Sequence, residues 1–198
     1  PLYSSAASDV YKRQVSGAGK SAMDELWDQT RKMFFNESGT TGTNESGKER
    51  DSNFSKRIAF NVIPQIDKFT DDGSTKEEVK MINETKKILD VSIEVSATCV
   101  RVPVFIGHAE SVNIEFENNV NIDEIREILG DTSGVSLVDD IETETFITPI
   151  ECVSDFSVFV SRLRVDHTVP SGINMWVVSD NLRKGAALNS VQIAEELI

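Results

Sequence analysis

The order of the predicted secondary-structure elements is what most limits the fold of this chain. Strand-like and helical segments are intermixed along the 198 residues, without the strict strand–helix alternation of a doubly wound parallel sheet. A chain of this length is typical of one compact domain. We therefore expect a single α+β domain in which helices accompany a mixed β-sheet.

The helical segments are marked by the spacing of apolar residues and by capping residues. Lys20–Phe34 carries apolar residues at helical spacing, which predicts a helix with one buried face. Ser74 and Glu77 form a Ser-x-x-Glu capping box, which predicts a second helix through about Leu89.

Two further helices are predicted in the second half of the chain. One begins at the N-cap Asn121 and ends where Gly130 provides a C-cap, and the other runs to the C-terminus. The side chains expected to face the core from the four helices are Met23, Leu26, Trp27, Thr30, Met33, Phe34, Val79, Ile82, Leu89, Ile122, Ile125, Ile128, Leu129, Leu188 and Val191.

The strands are predicted from short apolar or alternating runs, and a polar stretch at 36–57 predicts a solvated loop. Gly107 and His108 are expected to form a turn between two of the strands. The predicted strands are Ile58–Ile63, Arg101–Ile106, Val112–Phe116, Val135–Val138, Phe156–Leu163 and Ile173–Val178.

Composition excludes several classes of function. With 20 Lys and Arg against 33 Asp and Glu, the net charge of -13 argues against nucleic acid as a partner. No stretch approaches the run of about 20 apolar residues that a membrane-spanning helix needs, and we expect a cytosolic protein. Two cysteines and two histidines are too few and too scattered for a metal framework. We expect free thiols at Cys99 and Cys152, although a disulfide is arithmetically allowed.

A small-residue turn before the first predicted helix is one candidate binding site. Residues 15–19 read Val-Ser-Gly-Ala-Gly and lead directly into the helix N-terminus, where free N–H groups favour an anion. The spacing matches neither a Walker loop nor a complete dinucleotide fingerprint. A plain turn is the alternative.

His108 and Arg101 are a second candidate, because imidazole exchanges protons near neutral pH and guanidinium binds carboxylates in a fork. In an unbroken strand they would lie about 23 Å apart. They could share a site only if the chain bends between them, and Pro103 and Gly107 are the positions where a bend is plausible. A structural or solvated histidine is the alternative.

Glu77 and Lys80 are a third candidate, because residues three apart on a helix can pair or face a common ligand. The alternative is that Glu77 serves only as the acid of the capping box and that Lys80 is solvated.

Four ordered blocks of sequence carry a resemblance to one enzyme family. They are FNVIPQID at 60–67, NETKKIL at 83–89, SATCVRVPVFIGH at 96–108 and WVVSDNLRKGAALN at 176–189. Over about residues 15–198, apart from the loop at 36–57, the chain resembles aspartate-semialdehyde dehydrogenase. The resemblance implies a dimerisation domain of the semialdehyde dehydrogenase and glyceraldehyde-phosphate dehydrogenase type. It also implies that the C-terminal helix belongs with a Rossmann domain.

The resemblance further implies a reaction and its site. The family reduces L-aspartyl-4-phosphate to the semialdehyde with NADPH and releases phosphate, on the route to lysine, threonine and methionine. By resemblance, His108 would be the proton acceptor, Arg101 would bind the substrate carboxylate, Glu77 would contact the substrate amine, and Lys80 would bind the phosphate. The residues implied to contact NADP are Ser16, Gly17 and Asn181.

The sequence departs from the family pattern in three places. The family's nucleophilic Cys belongs to an Asn-Cys motif that follows a Gly-rich nucleotide loop, and neither feature occurs here. Neither Cys99 nor Cys152 takes the place of that nucleophile. Arg13 stands where the family has a substrate-binding Gln, three residues before Ser16.

The departures suggest how the chain is divided. Residues 1–14 are expected to match nothing in the family and to be a foreign leader. Residues 15–180 are expected to form the catalytic and dimerisation domain, and residues 181–198 a helix that returns to the NADP-binding domain. On this hypothesis the chain alone does not turn over substrate and works as a homodimer or a dimer of dimers.

Two alternatives remain open. The chain could be a non-catalytic dimerisation module, although such a module has no chemical need for Arg101, His108, Glu77 and Lys80 together. It could also derive from a related acyl-phosphate reductase with another substrate, against which the Cys-Val-Arg-Val-Pro-Val block argues.

Overall fold

The computed structural model describes residues 4–35 and 52–197, and these form a mixed six-stranded sheet with helices beside it. The predicted α+β class is confirmed. The strands are β1 (Ser4–Arg13), β2 (Glu94–Arg101), β3 (His108–Phe116), β4 (Val135–Leu137), β5 (Val158–Val165) and β6 (Gly172–Ser179). The α-helices are α1 (Lys20–Phe34), α2 (Lys76–Ile88), α3 (Ile122–Asp131) and α4 (Asn189–Glu195).

The sheet has the strand order β2-β1-β3-β6-β5-β4. The two outer pairs, β1 with β2 and β4 with β5, are parallel. The inner pairs, β1 with β3, β3 with β6 and β5 with β6, are antiparallel. No helix in the described part of the chain is long and apolar enough to cross a membrane.

The segment predicted as a foreign leader lies inside this sheet. Ser4–Arg13 form β1, which pairs with β2 on one side and with β3 on the other. The segment is therefore a structural part of the domain as the chain is written. Its foreign origin stays a prediction, as do the domain boundaries after it.

Two predicted strands are wrong. Ile58–Ile63 is a turn in which Phe60 has a φ of +56° and Asn61 N donates to Ile58 O at 3.0 Å. The strand expected at Arg101–Ile106 ends at Arg101 instead of starting there. Since Pro103 lacks an N–H group, the ladder cannot continue, and Val104 N turns back to Val102 O at 2.9 Å.

The capping box of α2 is displaced by one residue from the prediction. Thr75 N donates to Glu78 Oε2 at 2.6 Å, and Glu78 N donates to Thr75 Oγ1. Ser74 cannot fill this role because its backbone belongs to the preceding turn, where its N–H bonds Asp72 and its carbonyl accepts from Thr70. The shift leaves Glu77 without a capping function.

The predicted core faces of the helices are only partly buried. In α1, Leu26 is buried, but Trp27 is 60% and Phe34 is 75% exposed. In α2, Val79 and Ile82 are half-buried while Leu89 is exposed. Among the described residues of α4 none is buried, and Val191 is exposed.

Helix α3 begins as predicted but ends differently. The side chain of Asn121 accepts from Asp123 N, and Ile125 is buried against the sheet. Gly130 lies inside the helix, whose C-cap is Thr132. The positive φ expected of a C-cap glycine occurs at Gly134 instead. The predicted loop at 36–57 lies outside the described residues except for 52–57.

Replacing Thr75 with Val should cost about 1 kcal/mol of unfolding free energy, because the shape is kept while the N-cap acceptor is lost. Ser74→Ala is the matched control and should cost less, since the Ser74 hydroxyl does not cap α2. Urea unfolding of the two variants measures the difference. A larger loss in Ser74→Ala would contradict the observed cap.

Candidate active site

A cleft of about 500 Å³ lies beside the sheet where β1, α2, β3 and the segment after β6 approach one another. Six of the seven site residues expected from the resemblance line it, namely Ser16, Gly17, Glu77, Lys80, His108 and Asn181. They come from four separate segments of the chain. The fold therefore brings together residues that are far apart in sequence.

Arg101, the seventh predicted residue, is buried beneath the cleft and does not line it. Its guanidinium Nη1 donates to Gln14 O at 2.8 Å. The same atom lies close behind Gly17, since a Cβ added to that glycine would be 3.5 Å from it. Burial, together with the nearby Arg13, lowers the pKa of Arg101 to about 10. At neutral pH Arg101 therefore still places a positive charge just behind the Ser16–Gly17 turn.

The bend that His108 and Arg101 require is present at residues 102–107. Gly107 closes it with a φ of +100°, a conformation that side chains with a Cβ rarely adopt. A Cβ at this position would lie 2.8 Å from Pro149 O and 3.0 Å from Cys152 Sγ. The bend and the adjacent loop therefore fix the start of β3, where His108 lies.

His108 is held by contacts on both sides of its ring. Nδ1 lies 2.5 Å from Gln14 Oε1, and the ring meets Tyr11 edge-on with centroids 5.1 Å apart. Because the Gln14 amide NH₂ already donates to Asn181 Oδ1, its oxygen faces His108. The Nδ1 atom of the neutral ring then carries the proton, which leaves Nε2 as the acceptor.

The electrostatic surroundings keep His108 neutral. Burial, together with the nearby Arg13, Arg101 and Lys80 and against an opposing effect of Asp180, lowers the pKa of His108 to about 3. Three cationic groups around a neutral imidazole favour an anionic ligand. An anion bound among them would offset their effect and raise the pKa of His108.

Glu77 and Lys80 lie along the α2 side of the cleft. Glu77 Oε1 is 2.6 Å from Arg13 Nη1 and 3.9 Å from Lys80 Nζ, and the Glu77 side chain is 13% exposed. The displaced capping box explains this orientation, because Glu78 rather than Glu77 turns back to the helix N-terminus. The pair therefore presents both signs of charge to a ligand.

The turn before α1 and the segment after β6 meet at the other side of the cleft. Residues Val15–Ala18 form a 3₁₀ turn, and Ser16 Oγ donates to Asn181 Oδ1 at 3.2 Å. Gly185 and Ala186, which follow Asn181, also line the cleft. Small side chains and free backbone at this position leave room for a large ligand to approach.

The two cysteines are free and buried. Burial raises the pKa of both thiols, to about 11 for Cys152. Neither lines the cleft. They are unsuited to nucleophilic attack, which needs a thiolate. No group of three potential metal ligands occurs within 4–35 and 52–197.

Sequence reasoning missed Gln14, Tyr11 and Glu110. All three lie on or next to β1 or β3, and their importance comes from strand register, which places Tyr11 opposite Glu110. Burial, together with the nearby Asp9, raises the pKa of Glu110 to about 7. The alternation of β3 puts Glu110 on the same face as His108, which is the one signal available in the sequence.

Gly107→Ala should destabilise the domain by about 2 kcal/mol or more, because it combines a strained φ with contacts shorter than van der Waals distance. Gly130→Ala is the control, since that glycine is helical and a Cβ there would meet nothing within 4 Å. It should be neutral or stabilising. Equal losses in urea unfolding would contradict the assigned bend.

Glu110→Gln should change how stability depends on pH. The raised folded pKa means that the contribution of Glu110 is fully present below pH 4.5 and is lost as the pH rises through about 7. The variant should therefore gain stability relative to the wild type over this interval. Unfolding free energies measured from about pH 3.5 to 8 (about one unit beyond each pKa) provide the test. A constant difference between the two proteins would contradict the burial of an ionisable Glu110.

Comparisons with known proteins show which family this chain belongs to. The model of the family described as "Semialdehyde dehydrogenase, dimerisation domain" matches residues 6–184. The curated "Aspartate-semialdehyde dehydrogenase" of Rickettsia bellii is 48% identical over 94% of this chain and 52% of its own length. The chain thus spans about half the length of the curated relatives it matches.

Solved structures agree in fold. The crystal structure of aspartate semialdehyde dehydrogenase II from Vibrio cholerae, complexed with ASA, has a TM-score of 0.87 and 43% identity. The match covers 98% of this chain and 55% of the chain in that structure. A structure titled aspartate semialdehyde dehydrogenase with NADP from Candida albicans has a TM-score of 0.65. At 22% identity, covering 98% of this chain and 50% of that one, it shows the fold alone. The chain belongs to the semialdehyde dehydrogenase dimerisation-domain family, among relatives named aspartate-semialdehyde dehydrogenase.

Proposed function

We propose that this chain provides the substrate-binding and proton-transfer part of an aspartate-semialdehyde dehydrogenase. The reaction is the reduction of L-aspartyl-4-phosphate to L-aspartate-4-semialdehyde with NADPH and release of phosphate. The observation that carries the proposal is the convergence of His108, Glu77, Lys80, Ser16 and Asn181 in one cleft. The names of the relatives support the choice of substrate.

The charges of the cleft suit this substrate. The Glu77 carboxylate would bind the amine, and Lys80, half exposed at the rim, would bind the phosphate. Arg101 would bind the substrate carboxylate, for which its fork is suited, although it now donates to Gln14 O beneath the turn. Arg13, which lies beside Glu77, contributes a further positive charge.

His108 would act as the proton acceptor through Nε2, since Nδ1 is engaged with Gln14. Its pKa of about 3 makes it a weak base. Because Arg13, Arg101 and Lys80 contribute to that low value, the arrival of an anionic substrate would counter them. Substrate binding would thereby move the pKa of His108 toward neutrality, where a general base is most effective.

The residues around Asn181 fit one side of a nicotinamide dinucleotide. Ser16 Oγ and the Asn181 amide offer hydrogen bonds, and Gly17, Gly185 and Ala186 offer close approach. NADPH supplies the two electrons of the reduction when bound. The part that this chain would play is to orient the cofactor against the substrate and to exclude water beside His108.

The nucleophile is assigned to residues outside this chain. The reaction needs a thiolate that displaces phosphate, and neither Cys99 nor Cys152 reaches the cleft or ionises readily. The 198 residues alone would therefore be inactive. The proposal also includes a cytosolic location, a role in lysine, threonine and methionine synthesis, and assembly as a homodimer or a dimer of dimers.

A non-catalytic dimerisation module is the second candidate, and the two unreactive cysteines are the observation that favours it. To separate the two, this chain can be joined to the part of the Rickettsia bellii relative that it does not match. Formation of NADPH from L-aspartate semialdehyde, phosphate and NADP⁺ would support the enzyme. A folded chimera that binds neither substrate nor NADP⁺ would favour the module.

In the active chimera, His108→Ala should lower kcat by about 10²-fold or more, because the proton acceptor is lost. His167→Ala is the matched control, since His167 is exposed and does not line the cleft. Both variants should give the circular dichroism spectrum of the wild type. Equal activity of the two histidine variants would contradict the role of His108.

A further inference from the structure

Asp180 is a buried carboxylate directly after β6, and the family resemblance gives it no role. It is 3% exposed, and both of its oxygens accept backbone hydrogen bonds. Oδ1 accepts from Leu182 N at 2.8 Å and from Arg183 N at 3.1 Å. Oδ2 accepts from Ser154 N at 2.8 Å.

These bonds fix the backbone on both sides of Asn181, the cleft residue that follows Asp180. The bonds to Leu182 and Arg183 close a tight turn around Asn181, because they join the residue before it to the two residues after it. The bond to Ser154 ties that turn to the loop containing Cys152, which packs against Gly107. Asn181 thus has little freedom to move.

Asn181 in turn joins its own segment to two others, the Gln14–Ser16 turn and Gly107, through one side-chain atom. Its Oδ1 accepts from Ser16 Oγ at 3.2 Å, from Gly107 N at 3.3 Å and from Gln14 Nε2 at 2.5 Å. Gly107 immediately precedes His108. The position of the Asn181 side chain therefore relates the Ser16 turn to the start of β3.

Asp180 also acts on His108 through its charge. The charged groups that shift the pKa of His108 are Arg13 from β1, Arg101 from β2, Lys80 from α2 and Asp180 after β6. The first three lower the pKa of His108, and Asp180 opposes them. The phenol ring of Tyr11 from β1 packs against the imidazole.

We propose that Asp180 is a positioning residue that holds Asn181 and, through Gly107, places His108 relative to the cofactor side of the cleft. The kinetic consequences of this inference rest on the proposed function. The hydrogen-bond network does not depend on it. Asp180 touches neither substrate nor cofactor in this assignment. It acts through Asn181.

Asp139 provides a matched control. Its side chain is 4% exposed, and it accepts from Arg162 N at 2.6 Å and from Leu163 N at 3.2 Å. It also pairs with Arg126 at 2.7 Å. It is a buried carboxylate that holds backbone N–H groups at β5, and it does not line the cleft.

The kinetic test compares Asp180→Ala, Asp180→Asn and Asp139→Asn in the chimera. Asp180→Ala should lower kcat/KM by about 10²-fold, because a displacement near 1 Å at the site has that effect. Asp180→Asn should retain more activity, since its remaining oxygen can still accept from Leu182 and Arg183. KM for NADP⁺ should rise and kcat should fall in both, while Asp139→Asn should change neither.

The pH profile supplies a readout that a purely structural role would not move. In Asp180→Asn the carboxylate charge is lost, so the pKa of His108 should fall, and the acidic limb of the rate profile, where the base becomes deprotonated, should shift to lower pH. In Asp139→Asn the profile should stay in place. Kinetics and pH profiles of Asp180→Asn that match those of Asp139→Asn would overturn the inference.

Amide hydrogen exchange at Gly107 tests the positioning role of Asp180 without any need for enzyme activity. In the chain itself, exchange at Gly107 should be about 10-fold or more faster in Asp180→Asn than in Asp139→Asn. An inactive wild-type chimera would count against the proposed function, and the exchange rates would still decide on Asp180. Equal exchange in the two variants would overturn its positioning role.

Discussion

The pairing of β1 between β2 and β3 is the interaction on which the rest of the structure depends. The parallel register places Arg13 beside Arg101, and the antiparallel register places Lys12 beside Ala109, next to His108. A shift by one residue would turn every side chain of β1 to the opposite face of the sheet. Tyr11 would then lose its contact with the His108 ring. The geometry of the cleft therefore follows from strand register.

The bend between β2 and β3 is the second requirement. Arg101 ends one strand and His108 begins the next, and the six residues between them reverse the direction of the chain. Pro103 ends the ladder because it lacks an N–H group, and Gly107 takes a φ of +100° beside Pro149 and Cys152. Two residues that an extended strand would separate widely thus act on one another electrostatically.

Electrostatics of the cleft combine a neutral base with several cations. Arg13, Arg101 and Lys80 depress the pKa of His108, and Glu77 balances part of their charge by pairing with Arg13 and Lys80. An anionic ligand would complete this balance. The arrangement makes the basicity of His108 depend on what is bound, which is useful in a site where a proton must be accepted only after the substrate has arrived.

The sequence by itself determined the elements whose signals are local. The bounds of α1 follow from apolar spacing, and the Asn121 cap follows from a side chain that bonds its own backbone. Both agree with the structure. The membership of the family could also be inferred from the ordered blocks. Local signals failed where two neighbouring residues competed for one role, as Ser74 and Thr75 did for the cap of α2.

Only the tertiary structure decided how the site is assembled. Nothing in the sequence spacing indicates that the Gln14 side chain bonds both His108 and Asn181, because these residues lie 94 and 167 positions away from it. The turn at Phe60, the exposure of Trp27 and the burial of Arg101 beneath Gly17 likewise depend on packing between distant segments. Strand register and the Gly107 bend set these distances, and both are properties of the folded sheet rather than of any short stretch of sequence.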